Sequence, residues 1–360
     1  MFYSLTRLFN DQADQHLRAR LRTLYALLLA ANLGAWAWAF AVFRDHPALL
    51  ASSLLAWTLG LRHAIDADHI AAIDTVTRKL VQEGKQPIAT GFFFALGHST
   101  VVTLIALAVG VAAAALSAHF GAMQNVGSVV GTVVSASYLL LLALFNLAIL
   151  VPAVRNFRAV QRGGALHATD LDLLGGGLVS RLCRPLFRLA SRSWHMYPAG
   201  FLFGLGFDTA SEVALFALAA LQLAQGAPLW SVMVFPALFA AGMALVDTLD
   251  GNLMMTASGW AQRRPIRKLF YNLTITLVSV LVASGVAAVE ILGLVRERMA
   301  LTGWFWVQVG ALNDHFGTLG YVIVALFTGT WLVALAVYRV KRYDRIEVVV
   351  TPGGATARTT

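Results

Sequence analysis

The sequence predicts an all-α polytopic integral membrane protein with about eight transmembrane helices and both termini on the cytoplasmic side. Three observations predict it. Hydrophobic residues make up 58% of the 360 and charged residues only 12%, against about a quarter charged in soluble domains. Apolar runs long enough to cross a hydrocarbon core recur along the whole chain. The basic residues also collect in alternate intervening segments.

The eight runs are about 24–43, 47–76, 88–115, 127–151, 198–224, 229–257, 269–294 and 316–338. With the N-terminus inside, the inner segments hold Arg7 to Arg22, Arg78 to Lys85, Arg155 to Arg192, Arg263 to Lys268, and Arg339 onward. Together these carry 23 of the 27 Lys and Arg. The outer segments hold Arg44, Arg296 and Arg298, and Arg62 falls within a span. This asymmetry orients the helices. It also assigns the net charge of +9 to anionic lipid rather than nucleic acid.

The expected organisation is a single transport domain over 1–345, containing the inner loop 152–197, and a disordered cytoplasmic tail over 346–360. The first run also fits a signal peptide ending at Ala39-Phe40-Ala41. The 23 residues before it and its apolar length favour a retained helix. Residues 175–195 read either as a basic amphipathic surface helix or as a basic loop. The lone Cys183 excludes a disulfide framework.

Ionisable residues inside the spans are the functional signal, because charge at membrane depth is costly unless paired or hydrated. The second run carries Arg62-His63-Ala64-Ile65-Asp66-Ala67-Asp68-His69-Ile70. The third has Gly97-His98-Ser99-Thr100, and the fifth has Gly206-Phe207-Asp208-Thr209-Ala210-Ser211-Glu212. The sixth has Gly242-Met243 and then Asp247-Thr248, followed by Asp250-Gly251-Asn252. Imidazole and carboxylate together suit a borderline divalent cation. Carboxylates without compensation in hydrocarbon would protonate, so shared protons or a cation between them is required.

At 1.5 Å per residue, His63, His98, Asp208, Glu212 and Asp247 fall within about 6 Å of the bilayer centre. Asp66, Asp68, His69 and Asp250 lie about 7–13 Å toward the cytoplasm on the same reckoning. On a regular helix Asp66 shares a face with His63 and His69 while Asp68 points away. Two alternatives follow. Asp68 pairs with Arg62 or orients a ligand, or the helix is unwound near Gly60. Gly97, Gly204, Gly206, Gly242 and Gly251 permit close helix approach, and Ser99, Thr100, Thr209 and Thr248 can bond freed backbone. Simpler roles suffice for Glu290 and for the loop histidines His119, His167, His195 and His315. Asp74 can pair with Arg78 at i,i+4.

Four blocks carry a family resemblance. These are His63 with Asp68-His69, Leu96 to Val102, Leu205 to Glu212, and Gly242-Met243 through Asp250-Gly251. They resemble, in order, the motifs of the one-component nickel/cobalt transporter family (NiCoT), over a frame of about 20–340. Ser211 departs slightly, standing where many members carry Thr. The resemblance implies high-affinity uptake of Ni²⁺ or Co²⁺ across a bacterial inner membrane. It gives His63, Asp68 and His69 the central role in selection, with His98 cooperating.

The expected metal set is therefore His63, Asp66, Asp68, His69, His98, Asp208, Glu212, Asp247 and Asp250, with the ion as substrate and no resident cofactor. The sequence has no Gly-x4-Gly-Lys-Ser/Thr loop and no room for an ATPase domain, and no obligate ATPase partner is implied. Two rival readings fit the sequence less well. Exporters with a related motif often carry a His-rich loop, whereas 152–197 holds only His167 and His195. An intramembrane metalloenzyme would call for a His-Glu-x-x-His site or more His boxes, so no enzymatic activity is expected.

Overall fold

In a computed structural model of the chain, the residues described are 12–111, 120–161, 166–167, 191–205, 227–261, 265–340 and 350–351. Glu212, Leu215, Leu218, Ala219, Gln222 and Leu223 are described between the fourth and fifth of these stretches. The helices are α1 (Gln12–Phe43), α2 (Pro47–His63), α3 (Ala67–Gln82), α4 (Thr90–Val111), α5 (Phe120–Gln161), α6 (Met196–Gly204), α7 (Leu229–Val232), α8 (Val234–Ala261), α9 (Pro265–Arg298), α10 (Trp304–Asp314) and α11 (Phe316–Val340). Besides turns and short connections, the described residues include a two-residue parallel pairing of Leu166-His167 (β1) with Val350-Thr351 (β2) and a 3₁₀ turn at Ser193–His195.

Six of the eight expected spans appear by length and composition. They are Gln15–Phe43, the bent pair Pro47–His63 with Ala67–Gln82, Thr90–Ala108, Val129–Ala148, Leu229–Gly259 and Leu273–Arg298. The run expected at 316–338 is helical, with an apolar stretch of Thr318–Thr330. The run expected at 198–224 begins as α6, and most of its remainder lies outside the described residues. So do Cys183, the 175–190 part of the amphipathic segment, and 352–360. Large apolar side chains such as Leu29, Leu33, Leu104, Leu144 and Leu281 are exposed, as lipid-facing residues should be.

The described residues fall into two compact units. The first draws on Met1–Ser135 and Arg192–Met255, and the second on Ala136–Ser191 and Thr256–Thr360. The core of the first unit is rich in small residues, with Ala35, Ala39, Ala56, Ala64, Ala95 and Ala106 packed around Phe235, Phe239 and Met243. Phe43 stacks on Phe235 at 5.6 Å. Without hydrophobic drive between helices in lipid, close backbone approach and interhelical hydrogen bonds must hold such a bundle.

Glycines make that approach possible. A Cβ on Gly60 would strike the carbonyl of Phe239, and one on Gly91 the carbonyl of Asp247. Gly97 and Gly200 seat α4 against α6, each under a backbone carbonyl of the other helix (Tyr197 and Phe94). Asn32 adds a polar tie. Its amide donates to the carbonyls of Leu28 (2.9 Å) and Ala241 (3.1 Å), and its oxygen accepts from Trp57 Nε1 (2.9 Å). One residue of α1 thus joins α2 and α8.

The second unit contains α9, α10 and α11, with α9 packed against both others. Asn313 covers Gly293 and the Arg296 guanidinium covers Gly310.

The feature that shapes the site is the break between α2 and α3. The two helices meet at 52° across Ala64-Ile65-Asp66. Backbone bonding continues through it as tight turns: Ile65 N–H donates to Arg62 O (3.1 Å) and Asp66 N–H to His63 O (2.9 Å). Asp66 then turns extended (φ −62°, ψ 148°), and α3 starts with Ile70 N–H on Asp66 O at 3.2 Å. Of the two alternatives raised by the sequence, a helix interrupted near Gly60 is the one met, with the interruption placed at 64–66. Gly60 is helical and serves as a packing surface, and the break comes four residues later. At its far end α3 closes with Gly84 at φ 74°, where Lys85 N–H reaches Leu80 O (2.9 Å) and Gly84 N–H reaches Val81 O (3.0 Å). Only glycine adopts that left-handed cap without strain.

Candidate metal centre

The break brings His63 and His69 face to face. On an unbroken helix they would be about 9 Å apart along the axis, yet their ring centroids are 4.6 Å apart. The bend thus brings together two rings that a straight helix would hold apart. His98 enters from α4, with centroids 4.8 Å from His63 and 4.9 Å from His69. One ligand-capable nitrogen from each of the three rings lies within 4.8 Å of the others, and all three residues are buried.

Carboxylates fix the rings. Asp66 Oδ2 lies 3.1 Å from His63 Nδ1, and Asp247 Oδ1 lies 3.3 Å from His69 Nδ1. A carboxylate on Nδ1 holds the proton there and leaves the Nε2 lone pair free to bind an ion. His63 Nε2 is 3.1 Å from His98 Nε2, which in turn is 2.8 Å from Glu212 Oε1. Glu212 Oε1 is also 3.9 Å from His63 Nε2. Three imidazole nitrogens and one carboxylate oxygen therefore converge. His69 Nε2 and Asp247 Oδ2 are buried with no hydrogen-bond partner. Such orphaned groups cost about 1–3 kcal/mol each, and a bound ion would satisfy His69 Nε2 directly.

Aromatic rings close the sides. Phe94 meets His69 edge-on at 4.8 Å and Phe239 lies 5.5 Å from His63. Phe203 packs behind Phe94 at 5.2 Å. They exclude water, which strengthens electrostatics within the centre.

The remaining expected residues divide. Asp66 touches His63 and, at 3.8 Å, Arg62. Arg62 thus approaches Asp66 across one helical turn. Asp68 occupies the first turn of α3, half-buried, with Oδ1 lacking a partner. Asp250 is one turn beyond Asp247 on α8, also half-buried with a partnerless Oδ2. Asp208 lies outside the described residues. Glu290 belongs to the second unit, and His195 stacks edge-on against Trp194. Sequence reasoning missed Asn32, Gly91 and Gly200, and it singled out Gly60 as a point of unwinding rather than of close packing. The amide of Asn32 inside an apolar run was a usable signal. Gly91 and Gly200 were not separable from other glycines in the chain.

The fold and this centre define a polytopic membrane protein built around a buried His₃-carboxylate group. A family profile described as "High-affinity nickel-transport protein" (NicO) matches residues 49–337. The chain is 54% identical over 333 residues to the high-affinity nickel transport protein of Cupriavidus necator, covering 92% of this chain and 95% of the relative. It is 38% identical over 308 residues to the high-affinity nickel-transport protein NixA of Helicobacter pylori strain 26695, covering 84% and 92%. It is 39% identical over 292 residues to the cobalt transport protein NhlF of Rhodococcus rhodochrous, covering 80% and 82%. No solved structure matches the chain. The chain belongs to the NicO family of high-affinity nickel transporters, and it is a multi-pass bacterial membrane protein.

Proposed function

We propose that this protein takes up Ni²⁺, Co²⁺ or both as a one-component secondary transporter, and that the ion binds His63, His69, His98 and Glu212. The observation that carries this reading is the convergence of three buried imidazoles within 4.8 Å, two of them backed by carboxylates. Asp66 and Asp247 orient their histidines. Asp68, Asp208 and Asp250 supply negative potential along the ion's route. Nitrogen-rich donors favour late first-row divalent ions over Mg²⁺ or Ca²⁺. Because affinity alone would rank Cu²⁺ first, the shape of the cage must provide the selection.

The proposed architecture has eight spans with both termini cytoplasmic, supported by the distribution of Lys and Arg. It forms one transport domain over 1–345, faces lipid, and engages no nucleic acid. A dication moving inward gains about 4.6 kcal/mol per 100 mV, enough for roughly a thousandfold accumulation without ATP.

Uptake of ⁶³Ni²⁺ and ⁵⁷Co²⁺ by cells expressing the protein tests this. Accumulation should rise with expression, fall when the potential is collapsed at constant pH, and vanish in His63→Ala and His69→Ala at equal membrane abundance. His119→Ala should behave as wild type. Lowered cell nickel with raised tolerance would instead identify an exporter.

A further inference from the structure

Further along α3 and α8, a second group of buried oxygens has no part in the imidazole centre. Asp74 is 3% exposed and its Oδ1 has no hydrogen-bond partner. One turn later Thr77 is 0% exposed, and its Oγ1 has none either. On α8, Oδ2 of Asp250 is the third such oxygen. The helices meet at Gly251, where an added Cβ would lie 3.3 Å from Ile73 Cγ2 and 3.7 Å from Thr77 Oγ1. Asp74 is close enough to Asp250 for their charges to act on one another, and Arg78 acts on Asp74 from the next turn.

The threonine is the telling member. Three other buried or half-buried helical hydroxyls donate to the carbonyl four residues back, Ser53 to Leu49, Thr248 to Ala244 and Ser279 to Ile275, whereas Ser99, beside His98, shares with Thr77 the lack of a partner. That local bond is the easy solution for a hydroxyl in a membrane helix. Thr77 forgoes it and turns its oxygen toward Gly251, beside two carboxylates.

We infer that Asp74, Thr77 and Asp250 form a second, all-oxygen station for a divalent cation, which the transported ion visits after the imidazole centre. This rests on the transport reading given above. Asp250 is about 4.5 Å of helix rise beyond Asp247, and Asp74 about 7.5 Å beyond His69, so one short step separates the stations. Oxygen donors alone suit hard ions such as Mg²⁺ and Mn²⁺ and hold Ni²⁺ less selectively than imidazole. Two carboxylates beside the Arg78 guanidinium leave one net negative charge, so the ion is held weakly and released readily. In the proposed orientation this station faces the cytoplasm.

Equilibrium dialysis of the purified full chain with ⁶³Ni²⁺, and electron paramagnetic resonance with Mn²⁺, test it. Two Ni²⁺ per chain are expected, the second bound about 10–100-fold more weakly and displaced alone by Mn²⁺. Thr77→Val, which keeps size and charge, and Asp74→Asn should weaken that second ion about tenfold or more and leave the first unchanged. His69→Ala should remove the first and spare Mn²⁺ binding. A single Ni²⁺ per chain, or a weak site indifferent to Thr77→Val in protein that elutes as wild type, overturns the station. Mn²⁺ binding that depends on Thr77, without any tight Ni²⁺, would uphold the station and refute the nickel reading instead.

Discussion

Replacing Asp247 by Asn separates a ligand from a residue that orients one. The carboxylate is wholly buried and sits 3.3 Å from His69 Nδ1. Asn keeps the volume and removes the charge, so packing against Gly91 is preserved while the charge-assisted bond is lost. Removing a partner of this kind lowers metal affinity by about 10–100-fold, or about 1.4–2.8 kcal/mol. Losing a direct ligand such as His69 leaves only three donors and should abolish measurable tight binding. The assay is the Ni²⁺ Kd of the purified variants, paired with X-ray absorption to count nitrogen neighbours. Asp247→Asn should weaken the Kd within that range and still show three nitrogens. A Kd within twofold of wild type would refute the orienting role. A loss as complete as that of His69→Ala would make Asp247 a ligand itself.

Other perturbations follow from the same geometry. Gly91→Ala places a methyl against the Asp247 carbonyl and should cost about 1–3 kcal/mol by overpacking, seen as a lower melting temperature and weaker Ni²⁺ binding. Gly34→Ala, where nothing lies within 4 Å, should show neither effect. Protons compete with metal for imidazole, so Ni²⁺ affinity measured by dialysis should fall as pH drops through about 6–7. Affinity constant from pH 8 to 5 would exclude histidine ligands. In a Cys183→Ser background, an impermeant thiol reagent added outside should label cysteines at Ala122 and Gln225 but not at Gly163. Labelling at Gly163 would reverse the orientation.

Much of the fold and the centre could be read from the residues. The apolar runs located six spans because helix length in a bilayer is set by its thickness. His63, His98, Glu212 and Asp247 were grouped by depth because rise per residue is nearly constant along straight helices. The same rule separates His69 from His63 and fails for that pair, because the helix breaks between them and the rings meet. Nothing in Ala64-Ile65-Asp66 marks the break, since it contains neither proline nor glycine. Tertiary contact imposes it, with Gly60 pinned under Phe239 on one side and His69 bonded to Asp247 on the other. The nearby glycine suggested flexibility, whereas its role is close packing. A regular helical wheel already puts Asp66, and not Asp68, on the face of His63, because i,i+3 neighbours stay together up to the start of the break. The hydrogen bond falls to Asp66.

The break has a further consequence, in the field of the backbone itself. Each half-helix ends beside the imidazoles with a pole of its own dipole. The C-terminal end of α2, at His63, presents about half a negative charge, which favours a cation. The N-terminal end of α3 presents an equal positive pole, which repels one. Asp66 stands at that end and Asp68 in its first turn, the places where a carboxylate best cancels the pole. The paired acids at the break let a cation rest at the head of a helix that would otherwise turn it away.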